Sequence, residues 1–372
     1  MAMISGAEST LPMLERLEDV SPEWLQAVLA ESGYGDAAVA SIEFQTIGAG
    51  NASDTQRLLI RYDGETLDAP ASLICKFHPS HEEARGSAAA LGTFAREICS
   101  YSAISERKSC RIPKPYLLAY DERHLNLVIE DLSQSARPGD QIAGCSATDA
   151  EAVIFQMANL HGAFARIQES NIPPWLMPMS TMDELFTEAI MAGAALAPDR
   201  FGDLLSAQQY ATIAQCAELT AAWYELPWQH LTLTHGDLRV DNVLFQERDQ
   251  TLDAVLIDWQ MTGLRNPMYD LAYFLSSSLS VEDRRQHEHR LVALYLDALG
   301  EGLPKYSEEQ AIADYRLSMI ASLTTNLIAT VALPRTPATN NLILTLLKRG
   351  AAAAEDWDSL AAIRSTTSSL NF

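Results

Sequence analysis

The pattern of apolar residues changes part-way along this 372-residue chain, and that change limits the folds open to it. Residues 39–79 hold three short runs, VASIEFQTIG, DTQRLLIRYDG and PASLICKFHP, separated by Gly, Asp and Pro. Such runs predict three antiparallel strands. An Ala- and Glu-rich segment, residues 81–107, predicts a helix, and KPYLLAY and HLNLVIEDL predict two more strands. From about residue 148 onward, long helical segments dominate.

The change from strands to helices predicts two lobes. LVIEDL gives way near residue 131 to the polar, Gly- and Pro-containing segment SQSARPGDQIAGCS, which is typical of a loop. We therefore predict an α+β fold. Residues 1–132 form a helix, capped by Ser21, and a small antiparallel-sheet lobe. Residues 133–372 form a larger, mainly helical lobe. Clefts between lobes are common ligand sites, so we expect one there.

Charge and cysteine content exclude several classes of protein. The formal charge of −23 argues against nucleic-acid and anionic-membrane partners. Five cysteines without CxxC spacing predict neither a disulfide framework nor a thiolate zinc site. The N-terminus lacks the pattern of a secretion signal, and polar residues within 317–334 predict a buried helix rather than a membrane span. We expect a cytoplasmic protein without an obligatory protein partner.

Two segments concentrate polar side chains between apolar runs: HGDLRVDN (235–242) and VLIDW (255–259). Phosphoryl transfer from ATP needs a group to orient the acceptor hydroxyl, cations for the phosphates, and oxygen ligands for Mg²⁺. Asp237 can accept the hydroxyl proton, and Arg239 can face the transferred phosphoryl group. Asn242 has the D-x-x-x-x-N spacing of a metal-holding catalytic loop, and Asp258 supplies a second carboxylate. HGD alone fits a tight turn better than a catalytic site, whereas Asp258 favours catalysis.

These motifs carry a family resemblance. HGDLRVDN, LIDWQ and NPMYDLAYFLSSSL resemble the catalytic core of the choline and aminoglycoside kinase-like phosphotransferases. The LVIEDL segment, and an aspartate followed by an aromatic residue and Gln, are similar to the ecdysteroid kinase-like branch. The resemblance covers almost the whole chain after the first helix. It implies a protein-kinase-like fold and an ATP- and Mg²⁺-dependent kinase of a small-molecule alcohol, with Asp237 as base and Asn242 and Asp258 as metal ligands.

The resemblance also implies roles for residues that are unremarkable alone. Lys76 in SLICKF would bind the α- and β-phosphates, and Glu97 in TFAREICSY would pair with it. His235 and Asp270 would be structural, with Asp270 accepting backbone N–H bonds from the catalytic loop. His161 lies among apolar neighbours, which predicts a hydrogen-bonded core histidine rather than a site residue.

The segment IGAGNASDT departs from the protein-kinase G-x-G-x-x-G pattern. Gly48 and Gly50 are present, but the third glycine is absent. Asn51 and Ser53 lie among small residues that can bring N–H groups near phosphates, although a plain β-turn is an equal alternative. No G-x-x-x-x-G-K-[ST] segment offers another route to ATP.

The resemblance gives less detail about the nucleotide base and the acceptor. We expect the nucleotide base to stack against the hinge, which is the LVIEDL segment at the boundary between the lobes. Backbone groups of residues 129–132, including Glu130 and Leu132, can form hydrogen bonds there. The acceptor is expected to be a steroid- or terpenoid-like alcohol, an aminoglycoside or a choline-like alcohol. Aromatic residues that could contact it, although such residues are more often core, are Trp175, Trp223, Trp228 and Trp259.

Three functions remain open from the sequence. The first is an ATP-dependent kinase of a small alcohol, for which the sequence offers a candidate residue for every required role. The second is a pseudokinase acting as a nucleotide-dependent binding module, because the glycine loop is incomplete. The third is a metal-dependent phosphoester hydrolase using His235, Asp237 and Asp258. Nucleotide binding and acceptor turnover distinguish them.

Overall fold

A computed structural model describes residues 11–47, 53–64, 68–165, 167, 172–303 and 305–370. The chain divides into two compact units. The first comprises the described residues up to Ala136 together with Ile257–Met261. The second comprises Arg137–Leu256 and the described residues from Thr262 onward. Residues 257–261, which the sequence-based division places with the C-terminal part, therefore cluster with the first unit.

The first unit is built on one antiparallel sheet. Its elements in chain order are α1 (Pro22–Glu31), β1 (Val39–Thr46), β2 (Asp54–Tyr62), β3 (Ser72–Phe77), α2 (Glu82–Ala90), α3 (Thr93–Arg107), β4 (Pro115–Tyr120) and β5 (Leu125–Glu130). The spatial order is β1-β2-β3-β5-β4, and all neighbours are antiparallel. The predicted order of strands is confirmed. So is the cap of α1, where Ser21 Oγ accepts a hydrogen bond of 3.2 Å from Trp24 N.

Side chains of β3 alternate between the two faces of the sheet, as a pleated strand requires. Leu73, Cys75 and Phe77 are buried in a core shared with α1. Each such buried side chain contributes about 1.5–3 kcal/mol. Ile74 and Lys76 lie on the opposite face and are only partly buried. The helix α1 contributes to this core through Trp24, Leu25, Val28 and Leu29.

The Ala- and Glu-rich segment forms two helices, where the sequence predicted one. Helix α2 ends at Ala90 and α3 begins at Thr93. Between them Gly92 has φ +68°, a left-handed conformation that glycine reaches without steric cost. This conformation interrupts the helix. Isolated glycines are also tolerated inside helices, so the residue type alone did not determine the break.

The second unit is mainly helical. Its elements are β6 (Ala136–Pro138, which begins at the last residue of the first unit), α4 (Ala147–Ala163), β7 (Met177–Pro178), α5 (Met182–Phe201), α6 (Ala207–Tyr224), β8 (Thr232–Thr234), β9 (Val243–Arg248), β10 (Thr251–Leu256), β11 (Gly263–Arg265), α7 (Met268–Ser278), α8 (Val281–Leu299), α9 (Glu308–Ser318), α10 (Ala321–Ala332), α11 (Pro337–Asp356) and α12 (Ser359–Leu370). The strands form two small sheets, ordered β10-β9-β6 and β7-β11-β8. Strand β8 leads directly into the HGDLRVDN segment, which β9 follows.

Helix α7 is the centre of the second unit. Every residue from Met268 to Ser278 is buried, as in a helix surrounded by other elements on all sides. Its polar side chains must therefore find hydrogen-bond partners inside the protein. The stretch 317–334 contains α10, most of which is also buried, as predicted. Within the described ranges, no helix is both long and apolar enough to cross a membrane.

Candidate active site

The backbone of the HGDLRVDN segment is fixed by Asp270 of α7. One carboxylate oxygen of Asp270 accepts a bond of 2.6 Å from His235 N, and the other a bond of 2.9 Å from Gly236 N. This confirms the contact expected for Asp270. Burial alone would raise the pKa of Asp270, but the hydrogen bonds from His161 and the loop outweigh it and hold the pKa below its ordinary value of 3.8.

His161 is the fully buried partner of Asp270. Its Nε2 lies 3.2 Å from Asp270 Oδ2, and its Nδ1 lies 2.7 Å from the hydroxyl of Tyr295. Both ring nitrogens are therefore used, which confirms the prediction of a hydrogen-bonded core histidine. The sequence did not reveal that this histidine supports the HGDLRVDN segment through Asp270.

The carboxylate of Asp237 is held by two side chains. The hydroxyl of Tyr273 donates to Oδ1 at 2.6 Å, and Asn242 Nδ2 lies 3.3 Å from Oδ2 and 2.8 Å from the backbone oxygen of Asp237. Arg239 Nε lies 3.6 Å from Oδ2. The second unit thus brings Asp237, Arg239 and Asn242 together, and Tyr273 of α7 orients the carboxylate together with Asn242.

Tyr273 is a contact that sequence reasoning missed. It lies three residues after Asp270 in YDLAYF, and residues at this spacing share a face of a helix. Once Asp270 was expected to bind the loop, that spacing could have identified Tyr273 as a second contact.

The first unit brings together Lys76, Glu97 and Asp258. Lys76 Nζ lies 2.6 Å from Glu97 Oε1 and 2.8 Å from Asp258 Oδ1. Burial disfavours the ammonium, but the two carboxylates outweigh this effect and raise the pKa of Lys76 above its ordinary value. Burial raises the pKa of Glu97 to about 7, against the opposing influence of Lys76. The ammonium is therefore held between two carboxylates at the end of β3.

Asp258 has an uncommon backbone conformation. It lies two residues beyond β10 and has φ +67°, which costs a non-glycine residue about 1–3 kcal/mol. Helix α3 holds this segment in place: Arg96 Nε donates to the backbone oxygen of Gln260 at 2.8 Å, and the Tyr101 hydroxyl is hydrogen-bonded to the backbone of Asp258. Strain that its surroundings maintain is typical of functional positions.

Of the two residues predicted to contact the base, Glu130 is the last residue of β5 and Leu132 lies two residues beyond it. Glu130 Oε2 accepts a bond of 3.1 Å from the backbone N–H of Lys114. The backbone oxygen of Leu132 accepts bonds from Ser135 N and Ala136 N. Asp131 lies between them, and the sequence predicted no role for its carboxylate. This carboxylate accepts hydrogen bonds from Arg57, Ser72 and Ser133, which hold residues 130–132 in place.

Three predicted nucleotide residues, Gly48, Gly50 and Asn51, lie outside the described residues. Ser53 is described, and its hydroxyl lies 3.2 Å from that of Thr55 at the start of β2. Of the tryptophans, Trp223 and Trp259 are fully buried, which is the position of core residues, whereas Trp175 and Trp228 are partly buried.

A separate cluster in the first unit consists of Glu15, His78 and His124, whose potential ligand atoms lie within 4.8 Å of one another. His124 Nε2 lies 3.0 Å from Glu15 Oε1, and its Nδ1 faces Asp121. His78 Nδ1 accepts the backbone N–H of Leu125. His124 thereby links Glu15 to Asp121, which follows β4.

Comparison with known proteins gives the same fold. The chain resembles the ethanolamine kinase of Plasmodium vivax (TM-score 0.52, 12% identity, 88% of this chain and 87% of that one). It also resembles the choline kinase of Cryptosporidium parvum (TM-score 0.51, 13% identity, 83% and 88%). A third structure is an amicoumacin kinase in complex with AMP-PNP, Ca²⁺ and Ami (TM-score 0.50, 14% identity, 83% and 88%). The fold is therefore that of the protein-kinase-like small-molecule kinases, as predicted.

The model of the ecdysteroid kinase-like family matches residues 48–308, more than half of the chain. The protein belongs to this family of small-molecule kinases. A shorter match, 41% identical over 58 residues, links it to mouse acyl-CoA dehydrogenase family member 10 and covers 14% of this chain and 5% of that protein. The resemblance inferred from the motifs is confirmed, whereas the roles of individual site residues stay predictions.

Proposed function

We propose that this protein transfers the γ-phosphoryl group of ATP to a hydroxyl group of a small-molecule alcohol. The observation that carries the proposal is the cluster of Lys76, Glu97 and Asp258, in which two carboxylates orient a partly buried ammonium. Phosphoryl transfer depends on positioning and charge neutralisation, so a kinase benefits from a lysine that is oriented before the nucleotide binds. Membership of a kinase-like family supports the same function.

In the proposed reaction, the alcohol oxygen attacks the γ-phosphorus and forms a new P–O bond. The bond from the γ-phosphorus to the β,γ-bridging oxygen breaks, and its electron pair leaves with ADP. The hydroxyl proton passes to the carboxylate of Asp237 and then to solvent. Arg239 is proposed to face the transferred phosphoryl group, a role that its position 3.6 Å from Asp237 Oδ2 supports.

Asn242 and Asp258 are proposed as oxygen ligands of Mg²⁺. Carboxylate and amide oxygens suit this ion. Asn242 directs its Nδ2 at Asp237, so its amide oxygen points away from that residue. Asp258 keeps 30% of its side chain exposed although Lys76 contacts it. When bound, the ion would neutralise charge on the phosphates.

Lys76 is proposed to bind the α- and β-phosphates while Glu97 holds its ammonium. The amicoumacin kinase in complex with AMP-PNP supports nucleotide binding by a chain of this fold. The other residues that we propose for nucleotide binding are Gly48, Gly50, Asn51 and Ser53 over the phosphates, and Glu130 and Leu132 beside the base.

We propose a steroid- or terpenoid-like alcohol as the acceptor, with choline-like alcohols and aminoglycosides as the other classes to screen. The name of the family supports the first class. The related ethanolamine and choline kinases support the second. A charge of −23 attracts cationic acceptors at long range, which gives the second and third classes a kinetic advantage.

A thermal melt with Mg²⁺ alone, ATP alone and both together tests nucleotide binding. A ligand at a hundred times its dissociation constant stabilises by about 2.7 kcal/mol. We expect MgATP to raise the melting midpoint of the wild type and to have little effect on Asp258→Asn. The matched control is Asp63→Asn, an exposed carboxylate of the same unit, which should respond like the wild type.

Turnover is then measured as ADP release with each class of acceptor, using Asp237→Asn as the inactive reference. Stabilisation by MgATP without turnover of any acceptor would identify a nucleotide-dependent binding module. Stabilisation by metal alone, together with phosphatase activity, would identify a hydrolase. No shift with any ligand would contradict all three functions.

A further inference from the structure

Helix α7 contacts the HGDLRVDN segment through three side chains. Asp270 binds the backbone N–H groups of His235 and Gly236, as described above. Tyr273, one turn later, binds the carboxylate of Asp237. Ser278, at the end of the helix, accepts a bond of 3.0 Å from Val240 N through its Oγ. Of these three contacts, only that of Tyr273 is made to a side chain that accepts a proton in the proposed reaction, the carboxylate of Asp237.

We propose that Tyr273 is a positioning residue for phosphoryl transfer: its phenol holds Oδ1 of Asp237 and thereby leaves Oδ2 to receive the acceptor proton. This inference rests on the proposed function. It adds which oxygen of Asp237 receives the acceptor proton and which residue determines that oxygen.

The geometry distinguishes the two oxygens of Asp237. Oδ1 accepts the short bond of 2.6 Å from Tyr273. Among the described residues, the polar neighbours of Oδ2 lie farther away, Asn242 Nδ2 at 3.3 Å and Arg239 Nε at 3.6 Å. A carboxylate otherwise turns easily about its last bond, because that torsion has a broad, two-fold profile. A donor that is itself rigid therefore decides which oxygen is available.

Tyr273 meets the requirement of rigidity. Its side chain is buried, and its ring stacks on Tyr269 with centroids 6.3 Å apart and an interplanar angle of 17°. Burial and the nearby charge of Asp237 raise its pKa well above its ordinary value. The phenol therefore keeps its proton at neutral pH and acts only as a donor toward Asp237.

A double-mutant cycle tests this role without a known acceptor. Water serves as acceptor: its oxygen attacks the γ-phosphorus, ADP leaves, and inorganic phosphate and a proton are released. The probe is ADP release from MgATP by the full chain. The variants are Tyr273→Phe, Asp237→Asn and the double variant. The control is Tyr224→Phe, a buried tyrosine of α6 whose hydroxyl bonds to Thr324.

We expect Tyr273→Phe to lower kcat by about 10- to 100-fold, the scale of a misplaced catalytic group, and to leave KM for MgATP within about twofold. In the Asp237→Asn background the same change should cause no further loss, because residues that act through one another are not additive. Tyr224→Phe should stay close to the wild type in kcat.

Two results would overturn the inference: wild-type kcat in Tyr273→Phe, or an equal loss in both backgrounds, which would indicate a structural role. Melting midpoints of the same four proteins give a readout independent of activity. If the contact exists, the double variant loses less than the sum of the single losses, and additive losses contradict the contact. A wild type that neither binds MgATP nor releases ADP fails at the proposed function instead, and Tyr273 then has only a structural role.

Discussion

Asp270 lies on α7 with none of its surface exposed, and both of its oxygens accept hydrogen bonds from the HGDLRVDN segment. At the scale of single residues, such buried polar groups determine the shape of the site. A buried acceptor that loses its donors costs more than the bond itself contributes, because desolvation is no longer compensated. The loop therefore depends on a few side chains outside it.

We expect Asp270→Asn to lower the free energy of unfolding by about 3 kcal/mol. The substitution removes a buried negative charge that binds two backbone N–H groups and His161. The folded-state pKa of Asp270 lies below 3.8. Its carboxylate therefore stabilises the fold above pH 3.8, and this stabilisation disappears as the pH falls through the lower folded value. The difference between wild type and variant should be constant above about pH 5 and shrink below 3.8.

Chemical denaturation across this pH range measures the effect. Asp297→Asn, an exposed carboxylate of α8, is the control and should change stability by less than about 0.5 kcal/mol. A difference that grows as the pH falls would contradict the assignment.

Lys76 allows stability and nucleotide binding to be separated. Lys76→Met leaves Glu97 buried without its cation, which should cost about 3 kcal/mol and abolish stabilisation by MgATP. Adding Glu97→Gln removes the uncompensated charge, so we expect part of the stability to return while MgATP remains without effect. Thermal melts with and without MgATP measure both quantities. Recovery of the MgATP shift in the double variant would show that the nucleotide does not need Lys76.

At the scale of elements, the contact between α5 and α10 depends on a glycine. A Cβ on Gly193 of α5 would lie 2.0 Å from the backbone oxygen of Leu327 in α10. The two helices can approach this closely only because Gly193 has no side chain. Periodicity in the sequence predicted helices in this region, but the partner of each helix was not visible in it.

We expect Gly193→Ala to destabilise the protein by about 1–3 kcal/mol, because backbone must move, although alanine is the better helix former. The matched control is Gly86→Ala in α2, where an added Cβ meets no atom within 4 Å. That change should stabilise by about 0.5–1 kcal/mol. Unfolding by urea of both variants measures the effects, and equal signs would argue against close packing at Gly193.

At the scale of the whole molecule, the charge of −23 works against the folded state. Like charges repel more strongly when the chain is compact, and salt screens this repulsion over a Debye length that falls from about 30 Å at 0.01 M to about 10 Å at 0.1 M. The same charge repels polyanions at long range.

Raising NaCl from 0.01 M to 0.1 M should therefore raise the melting midpoint. A gain of about 1 kcal/mol corresponds to roughly 2–4 °C for a domain of 150–250 residues. KCl at the same ionic strength is the control and should act equally, because screening does not distinguish the two cations. A midpoint that falls with salt would show that local ion pairs outweigh the overall repulsion.

Local patterns in the sequence predicted the order of strands in the first unit, the mainly helical second unit, the cap of α1 and the positions of the polar motifs. These features follow from local periodicity, turn residues and spacing, which are properties of short segments. The predicted antiparallel sheet and mainly helical second unit were confirmed for this reason, and the family, inferred from the resemblance of the motifs, was confirmed by the family model. The break at Gly92 was missed because the same residue type is compatible with a continuous helix.

Tertiary structure alone decided which side chains meet. Lys76 and Asp258 are 182 positions apart, and Tyr273 and Asp237 are 36 apart. A resemblance proposed roles for Lys76 and Asp258 separately, but nothing local to either segment specifies a contact of 2.8 Å between them. Such contacts arise when apolar faces pack and buried polar groups must then find partners. For this reason the sequence identified the candidates for catalysis, and only the packing of α3 and α7 determined what holds them.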